Sequence, residues 1–484
     1  MKIIKNILAI AFLAIVFQSC SNDFFDINED PNGPTSTTPD KMMPSVIDGT
    51  MNMMGLTSFV TTTITQHRSF TWGVPNDWST FAWTNYSFQN NYWRVGSNNE
   101  LMMQFAEEEG SLHYRGAGKL IKAFAFSVTV DFFGDVYYTD AFKGVSQPKF
   151  DDGEFVYREL LNLCDEGISD LQSNNNFRPL SEGDIMYNGD LNKWIRFGYS
   201  LKARLLNHLT KKSYYDPSEV LSLVDQGFTS TTDDAGFVYS GAWEQSNPWG
   251  PTGSSDGYGG YSTFWHKTVV DYLKGDNLGG VEDPRINFIV NTAAADGEYR
   301  GVKDGNTLDG MNADMVSPTF GKYYTTDTTP YPLMTFEEVK FIEAEAAFLA
   351  DNKNRALSAL ESGVIANMLK VGVSQVDIDA YLANPTVFPQ TTASLTLSHI
   401  MMQKYLSLGF NPEIWVDMRR HDYSTNIYPA LQQPDNPNAA FGGEWIRRME
   451  VFSTEIQYNP AEVERIGGND SDYMIKKVWW DIEE

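Results

Sequence analysis

The sequence predicts a mainly α-helical protein whose helices are interrupted by two long irregular loops. Apolar residues recur at helical spacing in 42–66, 98–109, 112–131, 153–173, 191–210, 217–226, 335–350, 353–371, 375–383, 394–409 and 411–419. Several neighbouring segments are joined by short loops, which predicts antiparallel helix pairs stacked as helix–turn–helix repeats. Two regions break this pattern: residues 67–97 are rich in aromatic and polar side chains, and residues 228–334 are rich in Gly, Asp, Pro and Tyr, with weak strand signals. Long loops on a helical frame are common places for binding.

The N-terminus predicts export followed by attachment to a membrane. Two lysines precede an apolar run from Ile7 to Phe17, which is typical of a secretory signal peptide over residues 1–19. The run is too short to span a bilayer. Cys20 then becomes the first residue of the mature chain, where its thiol can be acylated. A polar, turn-rich tether is predicted over residues 20–45. The alternative is an ordinary cleaved signal with a coincidental cysteine.

The net charge and the cysteine content of the chain limit which partners and which disulfides are plausible. The chain has 484 residues and a net charge of −27, which argues against nucleic acid and anionic lipid surfaces as partners. It mildly favours an uncharged ligand over a polyanion. If Cys20 carries lipid, Cys164 has no disulfide partner. Cys164 lies on the apolar face of the segment 153–173, so we expect a buried core residue.

Signatures of catalysis or of metal binding are weak in this sequence. The segment 253–257 matches Gly-x-Ser-x-Gly literally, but a nucleophile elbow needs a strand before it and a helix after it. Asp26, Asn28 and Asp30 start like a calcium loop, yet Pro31 stands where that loop requires glycine. We therefore expect no enzymatic activity, with a hydrolase as the least favoured reading, and no cofactor. A structural Ca²⁺ among the loop acids stays open.

Aromatic residues in polar surroundings are the best indication of a binding site. Rings flanked by Asn, Asp, Gly and Ser are not in a core-like context, and exposed rings mark binding surfaces. A sugar presents an apolar C–H face that stacks on such a ring. The alternative is that the rings hold the loops against the helical body. The ligand-binding candidates are Trp72, Trp78, Trp83, Trp93, Trp243, Trp249, Tyr258, Tyr261 and Trp265.

Several ordered motifs resemble the SusD/RagB family of outer-membrane lipoproteins. The match covers essentially the whole mature chain. It is carried by Gly134-Asp135-Val136-Tyr137-Tyr138-Thr139-Asp140-Ala141, Gly189-Asp190-Leu191-Asn192-Lys193-Trp194, Ser200-Leu201-Lys202-Ala203-Arg204-Leu205, Asp283-Pro284-Arg285, Tyr331-Pro332-Leu333-Met334 and Trp415-x-Asp417-x-Arg419-Arg420.

The resemblance implies a single domain over residues 46–484, with four tetratricopeptide-like helix pairs and long irregular loops carrying short strands. It further implies a cell-surface lipoprotein that captures oligosaccharide or polysaccharide and delivers it to a SusC-like TonB-dependent transporter. A peptide-binding lid of such a transporter is the alternative. Among the motif residues, we expect core contacts and buried ion pairs, not ligand contacts, for Asp135, Trp194, Arg204, Arg419 and Arg420.

Overall fold

The structure is a computed structural model that describes residues 37–70, 88, 90–243, 245–251, 263–303, 307–435 and 437–484. Pro39–Glu484 form one compact unit. The described part of the chain contains fifteen α-helices: α1 Pro39–Ile64, α2 Ser97–Glu109, α3 Leu112–Phe133, α4 Gly153–Leu171, α5 Leu191–Asn207, α6 Pro217–Val224, α7 Lys267–Lys274, α8 Ile286–Ile289, α9 Phe336–Leu349, α10 Lys353–Val371, α11 Gln375–Leu382, α12 Leu397–Leu408, α13 Glu413–Arg420, α14 Ser453–Tyr458 and α15 Pro460–Arg465.

The mainly helical fold predicted from the sequence is confirmed. Each of the eleven predicted helices is present, with ends within three residues of the predicted ones. Helix starts are fixed locally by side-chain caps: Asp152 accepts from the Phe155 amide at 2.9 Å and Asp190 from the Asn192 amide at 3.0 Å. Such caps satisfy amides that have no partner inside the helix. Helices α7, α8, α14 and α15 lie outside the predicted segments. Of these, α8, α14 and α15 have only four to six residues, which carry too little periodicity for prediction.

Consecutive helices pack against each other in pairs, as the repeat pattern predicts. The pairs are α3–α4, α5–α6, α9–α10 and α12–α13, and α9 also packs against α5, α6 and α12. This arrangement agrees with the four helix pairs implied by the family resemblance. None of the helices in the described ranges has the length and apolar character that a bilayer crossing needs.

Helix α1 begins inside the segment predicted as a tether. It starts at Pro39, where proline's missing amide costs nothing at a helix start. It buries apolar side chains including Met43, Val46 and Met51 and packs against α2, α3 and a π-helix, Asn91–Gly96. The π-helix carbonyl of Arg94 lies only 3.2 Å from the point where a Cβ would stand at Gly49. The glycine therefore permits the close approach of the two helices.

Strand structure is minor in the described residues. Strand β1, Arg68–Phe70, pairs antiparallel with β2, Thr263–Trp265, in a two-stranded sheet. The pairing ties the two loop regions predicted from the sequence to each other, because β1 belongs to the first and β2 to the second.

The cysteine prediction and most of the motif predictions are confirmed. Cys164 is fully buried, and burial raises the pKa of its thiol, which keeps it protonated and inert. Trp194 is fully buried and its indole donates to Asp184 at 2.8 Å. Arg419 is buried with its guanidinium 4.0 Å from the centroid of the Trp415 ring. Asp135 is only partly buried.

Buried ion pairs join three of the helix pairs. Arg204 on α5 forms a bidentate bond to Glu338 on α9, at 2.6 and 2.7 Å. Arg420 on α13 bonds both carboxylate oxygens of Glu345 on α9, at 2.9 and 2.8 Å, and Asp417 at 2.6 Å. The side chains of these residues are at most 3% exposed.

These buried pairs predict that substituting a buried arginine lowers the free energy of unfolding much more than substituting an exposed one. Substituting Arg420→Met should lower the free energy of unfolding by roughly 3–5 kcal/mol, because it leaves the buried carboxylate of Glu345 without its main counter-ion. Urea denaturation followed by circular dichroism measures this. The matched control is Arg158→Met, which breaks an exposed pair with Glu154 and should cost at most about 1 kcal/mol. Equal losses would contradict the assigned role of the network.

Candidate ligand-binding surface

Five of the nine predicted ligand-binding aromatics lie outside the described residues. So do Cys20 and the Gly-x-Ser-x-Gly segment 253–257. Their predicted roles therefore stay predictions. The five aromatics are Trp72, Trp78, Trp83, Tyr258 and Tyr261.

Trp249 and Trp265 are core residues in the structure, and the ligand-stacking role expected for them is corrected here. Each is 1% exposed. The Phe410 ring lies against both, with ring centroids 4.6 and 5.3 Å apart and planes 24° from parallel. The Trp249 indole also donates to the Ser58 hydroxyl at 2.8 Å. These two rings hold their loops onto the helical body, which is the alternative that the sequence left open.

Trp93 and Trp243 are exposed, with 69% and 62% of their surface accessible. Trp93 lies on the π-helix Asn91–Gly96, an element frequent at functional sites. Trp243 lies in a turn that Gln245 closes, since the Gln245 amide donates to the Ala242 carbonyl at 2.9 Å. A large exposed indole is costly in water and has no packing role, so both rings fit a binding surface.

A groove of about 600 Å³ runs between the first half of α1 and the segment 237–245 that leads to Trp243 and its turn. Its apolar wall is open to solvent, with Val238 at 74% and Ile185 at 40% exposure. Polar side chains from α1 and from the opposite segment face the same space. The lining residues are Pro44, Ser45, Asp48, Ile185, Phe237, Val238, Tyr239, Ser240 and Gln245.

Asp48 lines this groove, and its carboxyl feels the charge of Arg94, the residue that follows the exposed Trp93. Burial raises the pKa of its carboxyl, while the positive charge of Arg94 and a 2.9 Å bond from Asn52 lower it. Arg94 follows Trp93 on the π-helix, is exposed, and forms no ion pair with any described carboxylate. An exposed ring and an exposed guanidinium thus follow each other on the π-helix that packs against α1, and the charge of that guanidinium acts on Asp48 in the groove lining.

A second, more enclosed cavity of about 390 Å³ adjoins the groove, since Phe237 and Val238 line both. Its other walls come from α5, α9, α10, α12 and the segments 231–236 and 323–335. The lining residues are Met186, Tyr187, Lys193, Thr231, Thr232, Asp234, Gly236, Phe237, Val238, Tyr323, Tyr324, Pro330, Tyr331, Pro332, Thr335, Glu337, Lys370, Ser407, Leu408, Phe410 and Asn411.

A charged triad stands in the wall of this cavity, with Glu337 buried and Asp234 and Lys370 partly buried. The Lys370 ammonium donates to Glu337 at 2.8 Å and also bonds Asp234. The Phe336 amide donates to Asp234 at 2.8 Å. Burial, together with the charge of Glu337, raises the pKa of Asp234 to about 7. Within the described ranges, no group of three or more His, Cys, Asp or Glu side chains could hold a metal ion.

Comparison with known proteins decides the family. The family model SusD-like_2, described as "Starch-binding associating with outer membrane", matches residues 31–451. The chain belongs to the SusD-like family. No curated protein sequence matched this SusD-like chain.

Solved structures have the same fold as this SusD-like chain. A SusD/RagB family protein from Bacteroides thetaiotaomicron is 22% identical with a TM-score of 0.73, covering 93% of this chain and 100% of its own. A chitin-binding protein is 22% identical with a TM-score of 0.75, covering 92% and 100%. A chitin-binding SusD homologue from Flavobacterium johnsoniae is 19% identical with a TM-score of 0.74, covering 92% and 99%.

Sequence reasoning missed the polar half of this surface. Asp48, Arg94, Asp234 and Lys370 come from four separate parts of the chain, and no spacing rule links them. For Arg94 a signal existed: a charged residue directly beside a tryptophan in a polar segment. For Asp48 and Asp234, a chain with 63 acidic residues offers too many carboxylates to single out these two, and nothing in the sequence marks Lys370.

The raised pKa of Asp234 predicts an unusual pH dependence. Its ordinary pKa is 3.8 and its folded pKa is about 7, so the folded protein holds this proton more tightly than the unfolded chain. The stability from Asp234 is therefore complete below about pH 4 and is lost as the pH rises to about 7. Urea denaturation should show the wild type losing stability relative to Asp234→Asn across this window.

The neighbouring Asp233 supplies a control of opposite sign. Although burial alone would raise its pKa, hydrogen bonds from Thr229 and an ion pair with Arg196 lower it. The wild type should therefore gain stability relative to Asp233→Asn as the pH rises from the acid range. Parallel curves for the two variants would contradict the assignment for Asp234.

Proposed function

We propose that this SusD-like protein is a cell-surface glycan-binding protein that captures oligosaccharide or polysaccharide in the groove between α1 and the segment 237–245. The observation that carries the proposal is that two exposed indole rings lie on elements flanking this groove, Trp243 in the segment 237–245 and Trp93 on the π-helix that packs against α1. Trp93 and Trp243 offer apolar faces on which sugar rings can stack. Asp48, Arg94 and Gln245 offer acceptors and donors for the hydroxyl groups around each sugar ring.

The electrostatics of the groove favour an uncharged glycan. Asp48 is the only Asp, Glu, Lys, Arg or His among its described lining residues, and the chain as a whole carries a net charge of −27. A uronic-acid or sulfated polymer would meet this charge unfavourably, although Arg94 offsets part of it locally. The description of two similar structures as chitin-binding supports a carbohydrate ligand.

We further propose that residues 1–19 are removed on export and that lipid on Cys20 anchors the protein to the outer membrane. The partner is a SusC-like TonB-dependent transporter, to which the protein passes its ligand. Binding involves no covalent chemistry, so we expect no release of reducing ends from any glycan.

The two exposed tryptophans provide the sharpest test of glycan binding. Affinity electrophoresis of the purified protein through gels containing neutral or acidic polysaccharides should show retardation by at least one neutral polymer. Trp93→Ala and Trp243→Ala should each weaken this binding roughly tenfold, because each removes a stacking surface worth about 1–2 kcal/mol.

Tyr214→Ala is the matched control, since Tyr214 is 58% exposed but follows the C-terminal end of α5, away from the groove. It should leave retardation unchanged. Retardation that survives both tryptophan substitutions would place glycan binding elsewhere. Binding of peptides with no binding of any polysaccharide would favour the peptide-binding alternative.

The lipid anchor has its own test. Cys20→Ala should release the protein from the outer-membrane fraction into the soluble fraction, because the acyl chains have no other attachment point. Cell fractionation followed by immunoblotting measures this, and Cys164→Ala serves as the control because that thiol is buried in the core. Unchanged membrane association of Cys20→Ala would refute lipid anchoring at this residue.

A further inference from the structure

The enclosed cavity beside the groove has the composition of a small-molecule site in its own right. Its volume of about 390 Å³ lies within the range of ligand pockets, which combine apolar walls with a few convergent polar groups. Met186, Phe237, Pro330 and Leu408 supply apolar surface. The triad of Asp234, Glu337 and Lys370 supplies charge.

Two polar groups in this cavity have no partner among the described residues. The Tyr323 hydroxyl forms no hydrogen bond, although its ring is fixed edge-on against Tyr324 at 5.3 Å. The Asn411 side chain accepts from the Glu413 amide at 2.9 Å, while its NH₂ group is unused. Donors left free in a pocket wall are positions where a ligand oxygen gains hydrogen bonds at little cost.

The charged groups of the cavity are balanced. Asp234 and Glu337 face Lys370, and Lys193 enters from α5. The Lys193 ammonium is held locally, by the Thr232 carbonyl at 2.7 Å and by the face of the Tyr187 ring at 5.9 Å. Two acids beside two lysines give the cavity no net charge that would attract either a ligand carboxylate or a ligand ammonium. Uncharged hydroxyl groups, in contrast, can donate to the acids and accept from the lysines.

We propose that this cavity is a second binding site, which takes one uncharged sugar unit. Its hydroxyl groups would bond Tyr323, Asn411 and the acidic pair, and its C–H face would lie on the apolar wall at Phe237. This inference rests on the proposed glycan-binding function and adds a site that discriminates by charge and by size. The groove binds the polymer chain, whereas the cavity admits a single residue or a chain end.

The test uses monosaccharides, because they report on a small site that needs no polymer. Saturation-transfer NMR and calorimetry on the purified full-length protein compare glucose, galactose, mannose, xylose and N-acetylglucosamine with the charged glucuronate and glucosamine. At least one uncharged sugar should bind, and its charged analogues should bind at least about tenfold more weakly.

Two variants locate the binding. Tyr323→Phe removes one hydrogen bond and should weaken the monosaccharide by about 2- to 10-fold. Thr231→Trp places a large ring at an exposed position of the lining and should abolish binding. The control is Tyr214→Phe, the same chemical change on the exposed tyrosine outside both sites. Thermal denaturation of each variant checks that the fold is intact.

The outcomes separate this inference from the proposed function. If a neutral polysaccharide retards the protein but none of the five uncharged monosaccharides binds, the cavity proposal is overturned and the groove proposal stands. Monosaccharide binding that is unaffected by Thr231→Trp, or equal binding of glucuronate, also overturns it. If neither polysaccharide nor monosaccharide binds, both proposals fail.

Discussion

The buried ion pairs between α5, α9, α12 and α13 are the constraint on which the rest of the structure depends. Arg204 and Arg420 each form bidentate bonds to glutamates of α9, and Lys404 on α12 bonds Asp417 of α13 at 2.8 Å. A buried ion is costly unless its partner stands at hydrogen-bonding distance. Such bonds therefore fix the rotation and the register of each helix, which apolar packing alone tolerates more loosely.

The helices held together by these ion pairs also carry the side chains that line the cavity. Helix α9 carries Glu338, which belongs to the buried network, and directly before it Glu337, which lines the cavity. Helix α5 likewise carries Arg204 in the core and Lys193 in the cavity wall. Since the same helices hold both sets of side chains, the packing of the core also fixes the positions of the side chains that line the cavity.

Aromatic residues serve two purposes in this protein, and exposure separates them. Trp249 and Trp265 pack on Phe410 and close the core beneath the loops. Trp93 and Trp243 stand on the surface, near a groove that combines apolar walls with hydrogen-bonding groups. Trp249 anchors the loop region that also carries Trp243, whereas Trp93 is held by the π-helix that packs against α1.

The sequence by itself determined the helices, the helix-pair architecture, the buried state of Cys164 and the structural role of Arg204 and Arg420. Helical periodicity and caps depend on residues that are close in sequence, so they can be recognised from the sequence alone. Only the tertiary structure separated buried from exposed tryptophans, because Trp249 and Trp243 have equally polar neighbours in sequence. It alone brought Asp48 towards Arg94 and Asp234 to Lys370. Contacts between distant residues depend on how helices pack, and packing is a property of the whole fold.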